Sequence, residues 1–546
     1  MSPSSYDVLV VGAGPVGLTA AYELARRGAA VRVVDQASGP ATTSRATATH
    51  ARTLETYHQM GLIDEFLRRG QRVEHFTMHQ RGRRLIRLDT DYSSVPTRFP
   101  FTLQVDQVTT EEILRTALRR LGVTVEWGVG LTGLDQTDDT VTAALQHAGG
   151  GIEQVEVGWL VGADGGHSVV RRQLGFTLVG ESSETWLIAD AVLDADLPRD
   201  SLHWMHAGNG TIMLVPFPEP GKWRLLDTVD VDGADDADAV ARRFTRKITK
   251  ALGTPVRVST PSWVSVFTIQ QRMIRQMRSG RCFVAGDAAH VHSPASGQGM
   301  NTGIQDAYNL GWKLADVLRG HADDALLDSY TAERVPVGAT LLGTTRTATA
   351  LVALRNAAAP VTLPIGLGLL NLATPLKRRV ERKIMEGMSG LALHYGASPL
   401  SQPVVAARGI GPGYRVACSG ETALASAGWR DMCTELTDPR WTLLATTDDT
   451  GPDGLAAVLA DVERDFGRAL SVRTVADTTD IAGTYPGPLG DPGGTLRRQL
   501  GLDAGEYALI RPDGYLAGKG RIAGEQGLTA LLRRCGLVPH EPEPTR

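Results

Sequence analysis

The stretch Tyr6–Asp35, YDVLVVGAGPVGLTAAYELARRGAAVRVVD, decides the fold of this chain. A short apolar run comes first, followed by a glycine-rich turn, a segment with apolar residues at helical spacing, and a second apolar run ending in an aspartate. This order predicts a strand, a turn, a helix and a second strand. The turn then lies at the carboxyl end of the first strand, where doubly wound α/β sheets bind their ligands.

The turn has the GxGxxG pattern of dinucleotide-binding proteins, with Gly12, Gly14 and Gly17 at the glycine positions. Gly12 permits the tight turn, Gly14 lets a pyrophosphate approach the backbone, and Gly17 lets the helix pack closely on the sheet. The N-terminus of the helix offers unpaired N–H groups to phosphate oxygens. Asp35 is predicted to accept hydrogen bonds from the ribose hydroxyls of adenosine. This pattern alone does not distinguish NAD from FAD.

Two later motifs make that distinction. In residues 159–171, WLVGADGGHSVVR, an apolar strand enters an Asp-Gly turn that is followed by the start of a basic helix. In residues 281–301, RCFVAGDAAHVHSPASGQGMN, another strand places an aspartate beside the glycine-rich beginning of a helix. Together with the glycine turn, these two motifs favour FAD over NAD as the bound dinucleotide.

With these three motifs the sequence resembles the single-component (class A) flavin-dependent aromatic hydroxylases, which include p-hydroxybenzoate hydroxylase, phenol hydroxylase, pentachlorophenol monooxygenase and hydroxylases of aromatic polyketides. The segments THARTLE and IQDAYNLGWKLA are most similar to the phenol-hydroxylase-like branch. The resemblance implies an α/β fold: a Rossmann-like FAD-binding domain of the GR2/p-hydroxybenzoate hydroxylase type, an inserted antiparallel sheet domain for the substrate, and a C-terminal thioredoxin-like domain without redox cysteines.

Three domains are expected, and a Pro/Gly-rich stretch, SPLSQPVVAARGIGPGYRV, marks the last boundary. The expected divisions are an FAD-binding domain with a helical extension (1–75, 102–179 and 267–396), a middle substrate-binding domain (76–101 and 180–266) and a thioredoxin-like domain (410–546).

The resemblance implies that FAD is bound non-covalently, and that NADPH or NADH serves as co-substrate. Asp287 is expected to bond the ribityl chain, and the backbone up to Asn301 to face the pyrimidine edge of the flavin, where a helix N-terminus stabilises negative charge. The predicted cofactor-binding residues are Gly12, Gly14, Pro15, Val16, Gly17, Asp35, Arg45, Gln107, Leu131, Asp164, Gly165, Arg171, Gly286, Asp287, Pro294, Gly297, Gly299, Met300 and Asn301.

The implied reaction is hydroxylation of a phenolic or aromatic polyketide ring with NAD(P)H and O2, through a hydroperoxide at flavin C4a. Baeyer–Villiger insertion or epoxidation on the same scaffold is the enzymatic alternative, and a flavoprotein that sequesters a ligand without turnover is the non-enzymatic one. The sequence has no second strand-flanked GxGxxG, which disfavours the classes that carry two such fingerprints. The excess of Arg over Lys indicates a GC-rich genome and weakly favours antibiotic biosynthesis.

The catalytic base is the part that this resemblance does not supply. Thr47 occupies the position of an acidic residue of phenol hydroxylase, and Met277 that of a tyrosine found in some relatives. His50, Arg272 and His290 are candidates, although a single histidine in such a fold is more often structural. An acidic polyphenol or hydroxyquinone would need no dedicated base.

Composition excludes several other classes of protein. The 546 residues carry a net charge of -4, which is not the charge of a nucleic-acid binder. Four scattered cysteines predict neither a disulfide framework nor a metal site, and with no signal peptide we expect a cytoplasmic protein, for which a homodimer is one predicted assembly. The apolar segment 357–376 is interrupted by prolines and is expected to be a buried or interface element rather than a membrane anchor.

Overall fold

The computed structural model describes residues 6–206, 210–292, 297–353, 359–402, 408–446, 452–477, 488–522 and 525–540. Three larger sheets organise these residues, and we call them the central, middle and C-terminal sheets.

The central sheet begins with the predicted strand–helix–strand unit. It has six strands, and all of them are parallel except the first at one edge. The order across the sheet is Arg278–Ser279, Cys282–Val284, Trp159–Gly162, Val8–Val11, Val31–Asp35 and Val125–Trp127. The strand Val8–Val11 is buried along its whole length, as in a parallel sheet covered on both faces. The prediction of a doubly wound α/β domain is confirmed.

Helices and two small antiparallel sheets complete this part of the chain. One small sheet contributes apolar side chains to the same core as the central sheet. The strands of the small sheets are Val129–Gln136, Val141–His147 and Ile152–Val157, and Ala48–Thr49, Gln71–Val73 and Thr102–Gln104. The helices are Pro15–Arg26, Ala51–Gln59, Ile63–Arg69, Gln107–Arg120, Val169–Gln173, Gly299–Leu318, Asp328–Ala353, Ala359–Leu372 and Thr374–Met388.

The middle sheet is antiparallel apart from one parallel pair, formed by the strands that start at Ser201 and His75. Its main order is His290–Val291, Trp263–Met273, Val179–Asp194, Lys222–Asp227, Thr211–Pro216, Ser201–His206, His75–Gln80 and Arg83–Asp89. The sheet extends beyond the expected limit at residue 266, because the long strand Trp263–Met273 continues and pairs with His290–Val291.

The two faces of the middle sheet have different partners. Along Val179–Asp194, Leu187 and Ala189 join a core with the helix Ala237–Leu252, whereas Trp186 and Ile188 face the other side. This alternation is the two-residue period of a strand. The helical extension covers the second face of the sheet, because Met385 and Leu391 belong to the same apolar cluster as Trp186.

The C-terminal sheet has five strands in the order Leu489–Gly490, Leu470–Ala476, Trp441–Thr446, Glu506–Ile510 and Leu516–Arg521. The first three are parallel, and the last two run antiparallel to their neighbours. Helices around this sheet are Gly420–Ala425, Ala427–Glu435, Pro452–Phe466, Thr495–Leu500 and Glu525–Arg534.

A buried group of charged side chains joins the C-terminal sheet to the rest of the protein. Glu333 accepts hydrogen bonds from Arg511 at 2.6 Å and 2.9 Å and from Lys313 at 2.8 Å, and Arg511 also binds Asp513 at 2.6 Å. The side chains of Glu333, Arg511 and Lys313 are fully buried. Trp312 packs edge-on against Trp441 beside them. We call Lys313, Glu333, Arg511 and Asp513 the Glu333 cluster.

The apolar segment 357–376 contains the helix Ala359–Leu372, while residues 357 and 358 lie outside the described residues. Leu367 and Leu370 pack against the middle-sheet core, but Leu369 and Leu372 are 63% and 83% exposed. Among the described residues, no helix has the length and apolar character needed to span a membrane. The face of this helix that carries Leu367 and Leu370 packs on the protein as expected, whereas the face that carries Leu369 and Leu372 is exposed.

Candidate active site

A cavity of about 1350 Å³ extends from the glycine turn to the middle sheet. Sites for one small molecule usually have about 300–1,000 Å³. Its lining includes Gly14 and Pro15 of the glycine turn, Asp287 and Met300 of the third motif, and Trp204 of the middle sheet. The cavity therefore has room for more than one ligand.

The glycine turn has the backbone that its sequence predicts. Gly12 has φ +104°, and a Cβ at Gly17 would overlap the carbonyl oxygen of Gly12. Around Gly14, by contrast, a Cβ would meet no protein atom within 4 Å. Both oxygens of Asp35 accept hydrogen bonds, from Ala13 N at 2.7 Å and from Ala37 N at 2.8 Å. The turn is thus packed tightly on the protein side and open on the side where a pyrophosphate would lie.

The second motif holds a short helix beside the glycine turn through side-chain hydrogen bonds. Asp164 accepts hydrogen bonds from the backbone N–H groups of Val169 and Val170, at 2.6 Å and 3.1 Å, and so holds the start of the helix Val169–Gln173. Arg171 in that helix donates to the carbonyl oxygen of Ala288 at 3.2 Å. The second and third motifs are therefore joined by a direct contact.

The third motif places Asp287 at the cavity. Desolvation inside the cavity raises the pKa of the Asp287 carboxyl above its ordinary value, although the charges of His290 and Arg45 act in the opposite direction. The backbone of the preceding Gly286 fits closely under the first helix, since a Cβ there would lie 2.8 Å from Cγ2 of Val16. The aspartate is thereby held against the glycine turn.

The helix Gly299–Leu318 begins at the cavity and carries no side-chain cap at its N-terminus. Without a side-chain cap from the described residues, its first N–H groups can stabilise negative charge in a ligand. Asn301 bonds the protein instead: its Nδ2 donates to Ala48 O and Gly297 O, each at 2.8 Å, and its Oδ1 accepts from His50 N at 2.8 Å. Asn301 therefore fixes the position of this helix N-terminus.

Arg224 connects the middle sheet to the loop that carries Arg45. Its guanidinium pairs with Asp190 through two contacts of 2.8 Å and also donates to the carbonyl oxygens of Ser44 at 2.6 Å and Arg45 at 2.9 Å. Gln107 N donates to the Ser44 hydroxyl at 2.8 Å. The loop is thus held from both of its sides.

A chain of hydrogen bonds leads from a buried carboxylate towards the cavity. Asp306 lies 2.6 Å from His290 Nε2 and 2.6 Å from Arg334 Nε, and His290 Nδ1 lies 2.8 Å from Nε2 of His292, which borders the cavity. Burial raises the pKa of Asp306, but the charges of His290 and Arg334 outweigh it and lower the pKa to about 2. Asp306 is therefore ionised at neutral pH.

The far wall of the cavity is apolar and formed by the second face of the middle sheet. The helical extension closes it from the opposite side. The apolar residues from the sheet are Met78, Ile188, Leu202, Trp204, Met213, Val215, Leu226, Trp263, Val266 and Phe267, and those from the extension are Leu363, Ile384 and Met388. Such a wall suits a planar aromatic ligand.

The comparisons with known proteins agree with this geometry. A model of the FAD binding domain matches residues 5–345. The chain belongs to the FAD-dependent aromatic monooxygenases. The 6-methylpretetramide 4-monooxygenase of Streptomyces rimosus is 57% identical over 539 residues, covering 98% of this chain and 95% of that enzyme. The family resemblance expected from the sequence is confirmed.

Two further relatives span the same length. The pentachlorophenol 4-monooxygenase of Sphingobium chlorophenolicum is 31% identical and covers 97% of both chains. The solved anhydrotetracycline hydroxylase of Streptomyces rimosus has a TM-score of 0.73 at 30% identity, and covers 98% of this chain and 100% of that one. The match therefore includes the C-terminal part of the monooxygenase as well as its cofactor domain.

The structure brings many predicted cofactor residues to one cavity. Those that border it are Gly14, Pro15, Val16, Arg45, Gln107, Gly165, Asp287, Gly297, Gly299 and Met300. Others support the lining residues from behind, namely Gly12, Gly17, Asp35, Asp164, Arg171, Gly286 and Asn301. Leu131 is 5% exposed within the core of the cofactor domain, and Pro294 lies outside the described residues.

The three candidate bases occupy different places. His50 borders the cavity, with its Nδ1 3.3 Å from the Thr102 hydroxyl. His290 is 1% exposed and lies 2.8 Å from His292, which borders the cavity. Arg272 lies on the strand beside Val291 and does not border the cavity.

Sequence patterns did not identify several residues of the site. Arg224 is a single arginine in an alternating segment, and its partner loop lies about 180 residues earlier in the chain. Trp204 and Met213 become neighbours only through strand pairing. His292 was within the third motif, and its two-residue spacing from His290 was the available signal.

Replacement of Asp35 tests the glycine turn. In Asp35→Asn one of the two backbone N–H groups loses its charged acceptor, so we expect the Kd for FAD to rise about tenfold, or about 1.4 kcal/mol. Quenching of flavin fluorescence measures this Kd. Asp139→Asn, at a side chain that is 95% exposed, is the control. Equal affinity in both variants would contradict the role of Asp35.

Proposed function

We propose that this monooxygenase hydroxylates a phenolic, polycyclic polyketide, using FAD, O2 and either NADPH or NADH. The relatives named for 6-methylpretetramide and anhydrotetracycline support this substrate class. A place in antibiotic biosynthesis accords with their names and is part of the proposal.

The observation that carries the proposal is the continuity of one cavity between the cofactor turn and an apolar sheet face. The open side of Gly14 and the uncapped start of Gly299–Leu318 fit a ligand with a pyrophosphate and an electron-accepting ring. The apolar face of the middle sheet, which includes Trp204 and Phe267, fits the flat surface of a fused-ring substrate.

Different parts of the chain would bind different parts of the cofactor and the substrate. The glycine turn and Asp35 would hold the adenosine and pyrophosphate, Arg45 and Asp287 the middle of the cofactor, and the helix that starts at Gly299 its ring. Bound FAD supplies the redox chemistry between the nicotinamide, O2 and the substrate. The apolar wall would orient the substrate and exclude water from the reacting atoms.

The proposal is tested with purified FAD-loaded protein, by following NADPH and NADH oxidation under air with 6-methylpretetramide, anhydrotetracycline and simple phenols. We expect oxidation to be stimulated by a polycyclic substrate, with a product that carries one added oxygen atom on a ring carbon. Use of ¹⁸O₂ identifies the source of that atom. Product with oxygen inserted beside a carbonyl, or binding without oxidation, would favour the alternative functions.

A smaller substrate cavity should lower kcat/KM for large substrates more than for small ones. Met213→Trp adds bulk on the cavity face, so we expect kcat/KM for a polycyclic substrate to fall about tenfold or more, because overpacking costs about 1–3 kcal/mol. Val192→Trp makes a similar change at a position of the same sheet that is 52% exposed. Equal kcat/KM in the two variants would place the substrate elsewhere.

We further propose the three-domain division given above, with the middle domain extended to the end of its sheet. The C-terminal domain is proposed to be thioredoxin-like, supported by two parallel strands followed by an antiparallel pair on the side of Trp441–Thr446. Its cysteines, Cys418, Cys433 and Cys535, and the remaining Cys282 are free, which suits a reducing cytoplasm. A homodimer stays a prediction.

A further inference from the structure

One face of the helical extension is apolar and exposed. Ile365, Leu369 and Leu372 of the helix Ala359–Leu372, together with Leu376 near the start of the next helix, are between 53% and 83% exposed. Positions 365, 369 and 372 are spaced by four and three residues, so they lie on the same face of the helix. We call these four residues the apolar stripe. Contiguous exposed apolar patches commonly mark sites of contact with a protein or a membrane.

The opposite face of the helix Ala359–Leu372 is apolar as well. Leu363 borders the cavity, and Leu367 and Leu370 pack against the middle-sheet core. A helix that is apolar nearly all round is normally buried on all sides. Here the described residues of the chain cover one side only. The apolar stripe therefore requires a second apolar contact from outside these residues.

The next helix, Thr374–Met388, supplies positive charge beside the apolar stripe. It contains five basic and two acidic residues, and one of the acidic residues is buried while the other lies 3.4 Å from Lys383. Arg378 and Arg379 are exposed, and in the described part of the chain no carboxylate lies within 4.0 Å of either guanidinium. Leu376, Arg379 and Lys383 are spaced by three and four residues and share one face. Apolar and basic side chains thus lie on the same surface.

Charge distinguishes between the possible partners of this surface. In a two-fold interface between two copies of the chain, the apolar stripe would face itself, and Arg378 and Arg379 would approach the same arginines of the other copy. Such contacts between like charges are unfavourable. An anionic bilayer offers acyl chains to the leucines and negative headgroups to the arginines. Charge complementarity therefore favours a membrane surface.

We propose that the apolar stripe and the adjacent basic residues bind the surface of an anionic phospholipid bilayer. The helix Ala359–Leu372 would lie in the plane of the interface, with its exposed leucines among the acyl chains and the arginines at the level of the phosphates. This arrangement needs no membrane-spanning segment, and none of the described helices is long and apolar enough to be one. The proposal goes beyond the proposed function and requires no particular substrate.

The cavity lies beside this surface. Lys383 borders the cavity and its side chain is 74% exposed, and Leu363 and Ile384 of the same two helices also line the cavity. Binding to a bilayer would therefore bring the cavity close to apolar molecules dissolved in the lipid.

Vesicle flotation with the FAD-loaded enzyme tests the proposal. The vesicles contain equal amounts of phosphatidylglycerol and phosphatidylcholine, and pure phosphatidylcholine vesicles are the neutral comparison. We expect the enzyme to bind the anionic vesicles about tenfold or more tightly than the neutral ones. Raising the ionic strength from about 0.1 M to about 1 M should remove most of this preference, because the Debye length falls from about 10 Å to about 3 Å.

Substitution of two leucines tests the apolar part of the surface. In Leu369→Ser combined with Leu372→Ser, we expect binding to the anionic vesicles to weaken about tenfold or more, because each leucine loses the gain from leaving water. The matched control is Leu424→Ser combined with Ile152→Ser. These two side chains are 81% and 65% exposed and lie outside the helical extension, so their replacement should leave vesicle binding unchanged.

Substitution of two arginines tests the charged part. Arg378→Gln combined with Arg379→Gln should weaken binding to the anionic vesicles about tenfold and leave binding to the neutral vesicles unchanged. Arg242→Gln combined with Arg246→Gln, at two exposed positions of the helix Ala237–Leu252, is the matched control and should bind like the wild type. The FAD affinity and the urea midpoint of every variant should equal those of the wild type, which shows that the variants are folded.

Three results would overturn the proposal. The first is a wild type that does not float with anionic vesicles, and the second is binding that neither the leucine nor the arginine substitutions weaken. The third is a wild-type dimer that dissociates in Leu369→Ser combined with Leu372→Ser, measured by light scattering without lipid, because the apolar stripe would then be a contact between two copies. Flotation involves no turnover, so each of these results would leave the proposed function untouched.

Discussion

Gly17→Ala is expected to lose most of its affinity for FAD and to be less stable without the cofactor. The added Cβ would overlap the carbonyl oxygen of Gly12 and lie 3.3 Å from Cβ of Ala163, so the first helix must move away from the sheet. Such overpacking costs about 1–3 kcal/mol, and a loss of that size in binding free energy raises the Kd for FAD by about fivefold to 150-fold. Urea unfolding of the cofactor-free protein and flavin fluorescence titration measure the two effects.

Gly14→Ala is the matched variant in the same turn. Gly14 has φ -73°, which alanine adopts easily, and its Cβ would meet no protein atom within 4 Å. We therefore expect the cofactor-free protein to be as stable as the wild type or slightly more so, because alanine restricts the unfolded chain. FAD affinity should still fall, since the Cβ occupies the pyrophosphate side. Normal FAD binding by Gly14→Ala would place the pyrophosphate elsewhere.

Glu333→Gln is expected to lower the free energy of unfolding by about 3–5 kcal/mol, because it removes the negative charge that neutralises two buried cations. Arg511 would keep Asp513 as a carboxylate partner, whereas Lys313 would keep only the amide oxygen of Asn309. Because these residues join the C-terminal sheet to the rest of the protein, we also expect faster proteolysis between these two parts. Urea unfolding followed by circular dichroism and limited trypsin digestion measure these changes.

An exposed ion pair of the same domain is the control for Glu333→Gln. Asp461 and Arg464 lie 2.7 Å apart with side chains 48% and 68% exposed, so Asp461→Asn should change stability by less than about 1 kcal/mol. Equal urea midpoints for the two variants would show that the buried cluster contributes no more than a surface pair.

The Glu333 cluster also predicts a dependence on pH. Burial raises the pKa of Glu333, but the charges of Arg511 and Lys313 outweigh it and lower the pKa below its ordinary range. A carboxyl with a lowered pKa stabilises the fold above its unfolded pKa of about 4.3 and loses that contribution as the pH falls towards the folded pKa. The wild type should therefore lose stability below about pH 4, and the loss should be smaller in Glu333→Gln.

The sequence predicted those parts of the site that depend on local backbone geometry. Gly12 and Gly17 are required by a tight turn and a close helix contact, and such requirements are visible in a short segment. The same holds for the turn at Asp287. For this reason the α/β fold class and the backbone geometry of these turns could be predicted from the sequence.

The rest of the site depends on contacts between residues that are far apart in the sequence. No recognisable pattern in a single sequence predicts such contacts. The contact of Arg224 with the loop at Ser44 joins residues 180 positions apart, and that of Arg511 with Glu333 joins residues 178 positions apart. The substrate wall likewise depends on the register that sets Trp204 opposite Met213. The contact of His290 with Asp306 likewise depends on a helix that brings Asp306 beside the third motif.

The helix Gly299–Leu318 has two functions along its length. Its first residues border the cavity. Near its other end, Trp312 donates to Asp513 and Lys313 donates to Glu333, and these contacts hold the C-terminal sheet. A protein shortened before the C-terminal domain would leave Trp312 uncovered and remove Arg511 from Glu333. Chimeras that exchange this domain between related monooxygenases should therefore carry the matching helix face with it, or the exchange will alter the cofactor site at a distance.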